Sequence, residues 1–105
     1  MNKIYEDKIK EPYFYLSQNK GKNLRSKIIK FMGKKYNIKE EDIKCIIDVV
    51  DKIHNTSLIL DDIEDGSNIR RGCDAVHIKY GLPLSINVTY IILFEMLNNI
   101  TCNQM

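Results

Sequence analysis

Two prolines and five glycines are all that punctuate these 105 residues. With so few breakers there is no Pro/Gly-rich linker, no internal repeat and no low-complexity segment. The chain reads as one small domain with one modest core. Cysteine is also scarce. Cys45, Cys73 and Cys102 are widely spaced and odd in number, no C-x-x-C occurs, and His54 and His77 lie far from any cysteine pair. That argues against structural zinc and against a disulfide framework, and it points to reduced thiols in a cytoplasmic compartment. Long apolar runs are missing too. The N-terminal stretch MNKIYEDKIKEPYFYL lacks the apolar core of a secretory signal, and no run approaches the length of a membrane span.

Net charge is small, at +2, but it is unevenly placed. Residues 1–39 carry eleven Lys or Arg against three acids, and residues 40–65 carry nine acids against two lysines. A basic first third is compatible with nucleic-acid binding. A solvated lysine-rich helix surface explains it better, because Tyr13, Phe14 and Tyr15 read as core or interface residues rather than as a base-stacking platform. No nucleic-acid partner is therefore expected.

What is present is helical periodicity. Pro12 suits the first turn of a helix running toward Gln18. Gly21 breaks the chain, and 22–36 reads as a second helix with Leu24, Ile28, Phe31 and Met32 at i, i+4, i+7 and i+8. Glu40, Glu41 and Asp42 favour a helix N-terminus. From there a helix runs to about Glu64, with Ile43, Ile46, Ile47, Val50, Ile53, Ser57 and Leu58 as its buried stripe. Residues 66–72 read as a polar loop, and 73–80 as a short helix stopped by Gly81. Pro83 opens a last helix to about Asn98, apolar nearly all round and so expected to be buried on most faces. The pattern is all-α, with loops of the lengths found in helical bundles.

The chemistry concentrates in Asp61-Asp62-Ile63-Glu64-Asp65 and the arginines Arg70 and Arg71 that follow. Four acids in five residues repel one another, and like charges at i,i+4 destabilise a helix. A hard divalent cation would compensate. Mg2+ binds through one or two carboxylates, keeps several waters and takes substrate phosphates. Arginine forks suit those phosphates. With Asp61 at zero on an ideal helix of ~100° per residue, Asp65 falls at about 40°, Asp62 at about 100° and His54 at about 20°. Asp61 and Asp65 can ligate one metal group, with Asp62 beside them. Glu64, at about 300°, points elsewhere. His54 reads either as a satisfied core histidine or as a hydrogen-bond donor to a second anion. Lys22 and Arg25, three apart at a helix start after Gly21, share a face and form a weak anion-site signal.

Taken together, these pieces resemble the trans-isoprenyl diphosphate synthase family. The string IHNTSLILDDIEDGSNIRRG, from Ile53 to Gly72, is similar to that family's first aspartate-rich region, DDxxD followed closely by RRG. The Gly21–Arg25 stretch resembles its GKxxR element, and the resemblance is nearest to the eukaryotic geranylgeranyl diphosphate synthase branch. It runs from about Pro12 to about Leu97. It implies an isoprenoid synthase-type bundle of antiparallel helices and a Mg2+-dependent prenyltransferase that joins isopentenyl diphosphate to an allylic diphosphate. Asp61 and Asp65 would bind Mg2+, with Asp62 supporting. These ions and Arg70 would hold the allylic diphosphate, and Lys22, Arg25, His54 and Arg71 would hold isopentenyl diphosphate. Thr56 and Ser57, small residues one to one and a half turns before Asp61, would line the hydrocarbon pocket and favour a longer product. The alternative is that they merely allow close helix packing.

Synthases of this family carry a second aspartate-rich motif on a later helix, and residues 1–105 contain none. The expectation is one partial domain over 1–105: a fragment, a truncated gene model or a short paralogue. It would have little prenyl transfer of its own and would act in a homo-oligomer or beside a synthase partner. A rival reading is a noncatalytic helical subunit that pairs with a full-length synthase.

Overall fold

The computed structural model describes residues 3–18 and 23–104, with side chains as far as residue 100. The described part is helical, in the order α1 (Lys3–Gln18), α2 (Leu24–Lys35), α3 (Glu40–Asp65), β1 (Ile69–Arg70), β2 (Cys73–Asp74), α4 (Val76–Tyr80) and α5 (Leu82–Gln104). The all-α expectation holds. The break expected at Gly21 lies outside the described residues.

The core is formed where α1, α3 and α5 meet, with α4 closing one side. Tyr13 and Leu16 of α1, Ile59 of α3, Val76 of α4, and Val88 and Ile92 of α5 form the buried cluster. Each such aliphatic side chain contributes about 1.5–3 kcal/mol on burial. The buried positions of α5 are Ser85, Val88, Thr89, Ile92 and Met96, a single 3.6-residue stripe. Its small polar members satisfy themselves locally: Ser85 Oγ donates to the Gly81 carbonyl at 2.7 Å and Thr89 Oγ1 to the Ile86 carbonyl at 2.6 Å. Leu82, Leu84, Tyr90, Phe94 and Leu97 of α5 are exposed. The helix is therefore buried on one face, not on most. No helix among the described residues is long and apolar enough to cross a membrane.

Several other expectations are corrected. Helix α1 begins nine residues before Pro12, so the proline sits inside it. An interior proline removes one helical hydrogen bond. Here the carbonyl that loses its donor belongs to exposed Lys8, where water can reach it, while the ring itself is buried against the core. Helix α2 forms as expected, but Leu24, Ile28, Phe31 and Met32 are exposed and only Gly33 is buried. A Cβ on Gly33 would lie 2.5 Å from Ile43 Cδ1, so this glycine lets α2 close onto α3. In α3 the packed face is Thr56, Ile59 and Asp62, with Ile43 nearer its start. Ile46, Ile53 and Ser57, expected inside, lie outside. Periodicity marks an apolar face but does not say which face a neighbour covers.

The segment after α3 is more ordered than a polar loop. Strands β1 and β2 pair antiparallel, Ile69 with Asp74 and Arg70 with Cys73. Their two-residue turn is Arg71-Gly72, with φ of 54° and 79°. Positive φ at both central positions matches a type I′ hairpin turn, whose twist suits the flanking strands. The helix expected from Cys73 therefore starts only at Val76.

Candidate diphosphate-binding site

Helix α3 ends at Gly66, which adopts the left-handed conformation (φ 67°) that glycine tolerates best. The Gly66 N–H donates to the Ile63 carbonyl at 3.3 Å and the Ser67 N–H to the Asp62 carbonyl at 2.9 Å. This cap reverses the chain, and the hairpin carries Arg70 back onto the helix it has just left. Arg70 Nε donates to Asp62 Oδ2 at 3.1 Å and Nη2 to Asp62 Oδ1 at 2.7 Å. The Asp62 side chain is 3% exposed, that of Arg70 27% and that of Asp61 56%. A buried carboxylate demands such a partner. The Arg70 guanidinium is held above its usual pKa, first by the hydrogen bonds to Asp62 and then by the charges of Asp62, Asp61 and Asp65.

The acidic cluster is thus partly compensated from within the chain. It stands at a helix C-terminus, the unfavourable end for negative charge, and the last turn holds no basic residue. Arg70 supplies the missing cation, engaging Asp62 on both oxygens and approaching Asp61 Oδ2 at 3.9 Å. Asp62 faces inward; Asp61 and Asp65 are exposed. Among the described residues, no three His, Cys, Asp or Glu side chains form a ready metal cage. Two exposed carboxylates one turn apart nevertheless match the chemistry of a hydrated Mg2+ ion, which binds through one or two carboxylates.

His54 lies two turns below Asp61 and is partly buried. Its pKa is lowered first by burial, then by the positive charges of Arg25, Arg71 and Arg70. Three guanidiniums from two separate parts of the chain thus act on one imidazole. Arg25 comes from the first turn of α2, just after Asn23 in a left-handed conformation (φ 56°). Arg71 comes from the hairpin turn, also left-handed. Its own pKa is lowered by burial and by Arg70 and Arg25, the mark of like charges held together. Lys22 lies outside the described residues.

Arg25 and Arg71 share a polar cavity of about 250 Å3 with Asn23, Lys52 and Asn55. Asp48 and Asp51 also border it, and Lys52 Nζ binds Asp48 Oδ2 at 3.0 Å. Arg25 Nε is buried without a hydrogen-bond partner among the described residues. A buried donor left unmade is costly, so an anion accepting from it would be favoured. Sequence reasoning missed Asn23, Lys52 and Asn55. Nothing in their spacing marks them, since they meet Arg71 only because the hairpin folds back.

Thr56 and Ser57 separate. Thr56 is buried, its Oγ1 donating to the Lys52 carbonyl at 2.8 Å and the Ile53 carbonyl at 3.0 Å. Ser57 is exposed and donates to the His54 carbonyl at 2.6 Å. With Asp61 again at zero, Ser57, Val50, Ile46 and Ile53 fall between about 280° and 340°. Asp61, Asp65 and His54 border this stripe, and the core-packed Thr56, Ile59 and Asp62 lie on the opposite side. One side of α3 therefore carries acids at its end and an apolar strip behind them.

A family model described as "Polyprenyl synthetase" matches residues 6–104. Similar proteins include the geranylgeranyl pyrophosphate synthase of Eremothecium gossypii, 36% identical over 89 residues, which cover 85% of this chain and 28% of that protein. The protein of the same name from Mucor circinelloides is 36% identical over 96 residues, 90% of this chain and 31% of its own. The one from Dictyostelium discoideum is 35% identical over 98 residues, 93% of this chain and 32% of its own. The chain spans about a third or less of the length of these relatives. The chain belongs to the polyprenyl synthetase family.

Proposed function

We propose that this chain carries the diphosphate-binding wall of a prenyltransferase of the geranylgeranyl diphosphate synthase type. The carrying observation is the polar cavity that Arg25 and Arg71 share, with Arg25 Nε buried without a hydrogen-bond partner among the described residues and the charges of both arginines acting on His54. Isopentenyl diphosphate takes the arginine side: Arg25 and Arg71 grip its phosphates, Lys22 joins them, and His54 donates a hydrogen bond. Asp61 and Asp65 would hold Mg2+ on the side of the allylic diphosphate, and the ion would supply positive charge that stabilises the leaving diphosphate. Arg70, gripped by Asp62 through two of its five N–H donors, turns the others to the same diphosphate. Asp62 acts by holding Arg70.

The reaction follows from these positions. The allylic C–O bond breaks, and its electron pair leaves with the diphosphate, where fixed positive charge stabilises it. The isopentenyl double bond attacks the allylic cation, forming the new C–C bond, and the resulting tertiary cation loses a proton from the adjacent carbon to the released diphosphate. The strip Ile46, Val50, Ile53 and Ser57 faces the hydrocarbon tail and keeps water from the cation. Ser57, rather than buried Thr56, is the small residue that leaves room for a long tail. We place the activity in the cytoplasm, a reading supported by the free thiols of Cys45 and Cys73.

Calorimetric titration with isopentenyl diphosphate in EDTA tests the arginine site. Binding should survive without metal and weaken about tenfold or more in Arg25→Gln and in Arg71→Gln, the loss of one charge-assisted contact. Unchanged affinity in both variants overturns the assignment. A second reading, a noncatalytic subunit of another synthase, draws on the exposed apolar faces of α2 and α5. Co-purification with a synthase whose turnover ignores Asp61→Ala and Asp65→Ala in this chain would favour it.

A further inference from the structure

We propose that Tyr15 is a positioning residue for Arg71, acting through the backbone of the hairpin; this rests on the diphosphate role given to Arg71 above. A hairpin with two residues in each strand does not hold itself. Its place must come from outside contacts, and among the described residues each strand is tied to a helix. On β1 the contact is Arg70 with Asp62 of α3. On β2 it is the Tyr15 hydroxyl, which donates to the Asp74 carbonyl at 2.8 Å across 59 positions of sequence. The Ala75 N–H closes the hairpin base on the Asn68 carbonyl at 2.8 Å. Arg71 stands in the turn between the two anchored strands, in a left-handed conformation that a side chain resists.

The Tyr15 ring is itself fixed. Tyr80 meets it edge-on, with centroids 5.6 Å apart, and Lys79 Nζ sits 4.3 Å from its centroid. Tyr13 and Leu16, on the same helix, are buried in the core, so the hydroxyl projects from an anchored element. Burial raises the Tyr15 pKa further above neutrality, which keeps the hydroxyl a donor. Tyr15 does not line the polar cavity, whereas Tyr13, Ser17 and Arg71 do. Its influence on an anion there must pass through the hairpin.

The test is Tyr15→Phe, which removes only the oxygen, in the 105-residue chain. Two readouts are needed: affinity for inorganic pyrophosphate in EDTA, and the Arg71 Nε–H signal by 15N NMR. Affinity should fall about threefold to tenfold, the range set by one neutral hydrogen bond. The Arg71 signal should move, and the helix content by far-UV circular dichroism should stay that of the unsubstituted chain. In an Arg71→Gln background Tyr15→Phe should have no further effect on affinity. An unchanged affinity with an unmoved Arg71 signal overturns the proposal, as does an equal loss in the Arg71→Gln background. If the unsubstituted chain binds no pyrophosphate, the diphosphate role of Arg71 fails instead. The Arg71 signal then decides alone: moved by Tyr15→Phe, it upholds the positioning role; unmoved, it removes it.

Discussion

Removing either half of the Asp62–Arg70 pair should destabilise the fold, but by unequal amounts. In Arg70→Met, the carboxylate left behind is in the core, its side chain only 3% exposed. An uncompensated buried charge of this kind costs about 3–5 kcal/mol. In Asp62→Leu, the guanidinium left behind is 27% exposed. Water can reach it, so the loss should be nearer the 1.5–3 kcal/mol of hydrogen bonds to a charged group. The double variant Asp62→Leu/Arg70→Met should recover most of both losses, because a well-packed apolar pair often replaces a buried ion pair at little net cost. A chain this size has roughly 5–15 kcal/mol in all, so Arg70→Met is the severe case. Urea unfolding followed by far-UV circular dichroism, in EDTA, measures the series. Equal losses, or a larger loss for Asp62→Leu, would refute the claim that burial of Asp62 dominates the pair.

Two further outcomes follow from the same geometry. Arg71→Asn should raise stability by about 0.5–1 kcal/mol, because Asn-Gly suits a type I′ turn and the crowding with Arg70 and Arg25 is relieved. The same substitution should weaken pyrophosphate binding about tenfold, and thermal melts beside calorimetry check the opposite signs. His54 should titrate below the usual imidazole value in the free chain, and pyrophosphate should shift it upward by offsetting Arg25, Arg71 and Arg70. Because its folded pKa is depressed, the unfolded chain takes the proton first, so stability falls as pH drops below about 6.5. Two-dimensional NMR of the imidazole over pH 5–8 reads the pKa shift.

Much of this was legible in the residues because helices advertise their period. The presence of α2, α3 and α5 follows from apolar spacing, the acids at Glu40–Asp42 and Pro83, although α5 runs on to Gln104, past the end expected near Asn98. What periodicity could not convey is which face is covered. Thr56, Ile59 and Asp62 form the packed face of α3 although two of them are polar, and the more apolar stripe with Ile46 and Ile53 is left open. The Arg71-Gly72 hairpin was hidden because arginine is a poor signal for a left-handed turn position. The Asp62–Arg70 pair was hidden because its spacing spans a helix cap and a strand, a path with no fixed repeat. The acids point in the sequence to a divalent cation; the structure pairs Asp62 instead with Arg70, a cation from the chain itself.

The central claim is that Asp61 and Asp65 form a Mg2+-dependent diphosphate site separable from the arginine site beside it. Its most direct measurement is calorimetric titration of the 105-residue chain with a non-ionising allylic thiodiphosphate, with and without Mg2+, for the unsubstituted chain and for Asp61→Asn/Asp65→Asn. The account predicts binding that requires Mg2+ and disappears in the double variant, while isopentenyl diphosphate binding in EDTA is retained. Allylic binding that persists in the double variant, or that is indifferent to Mg2+, would contradict it.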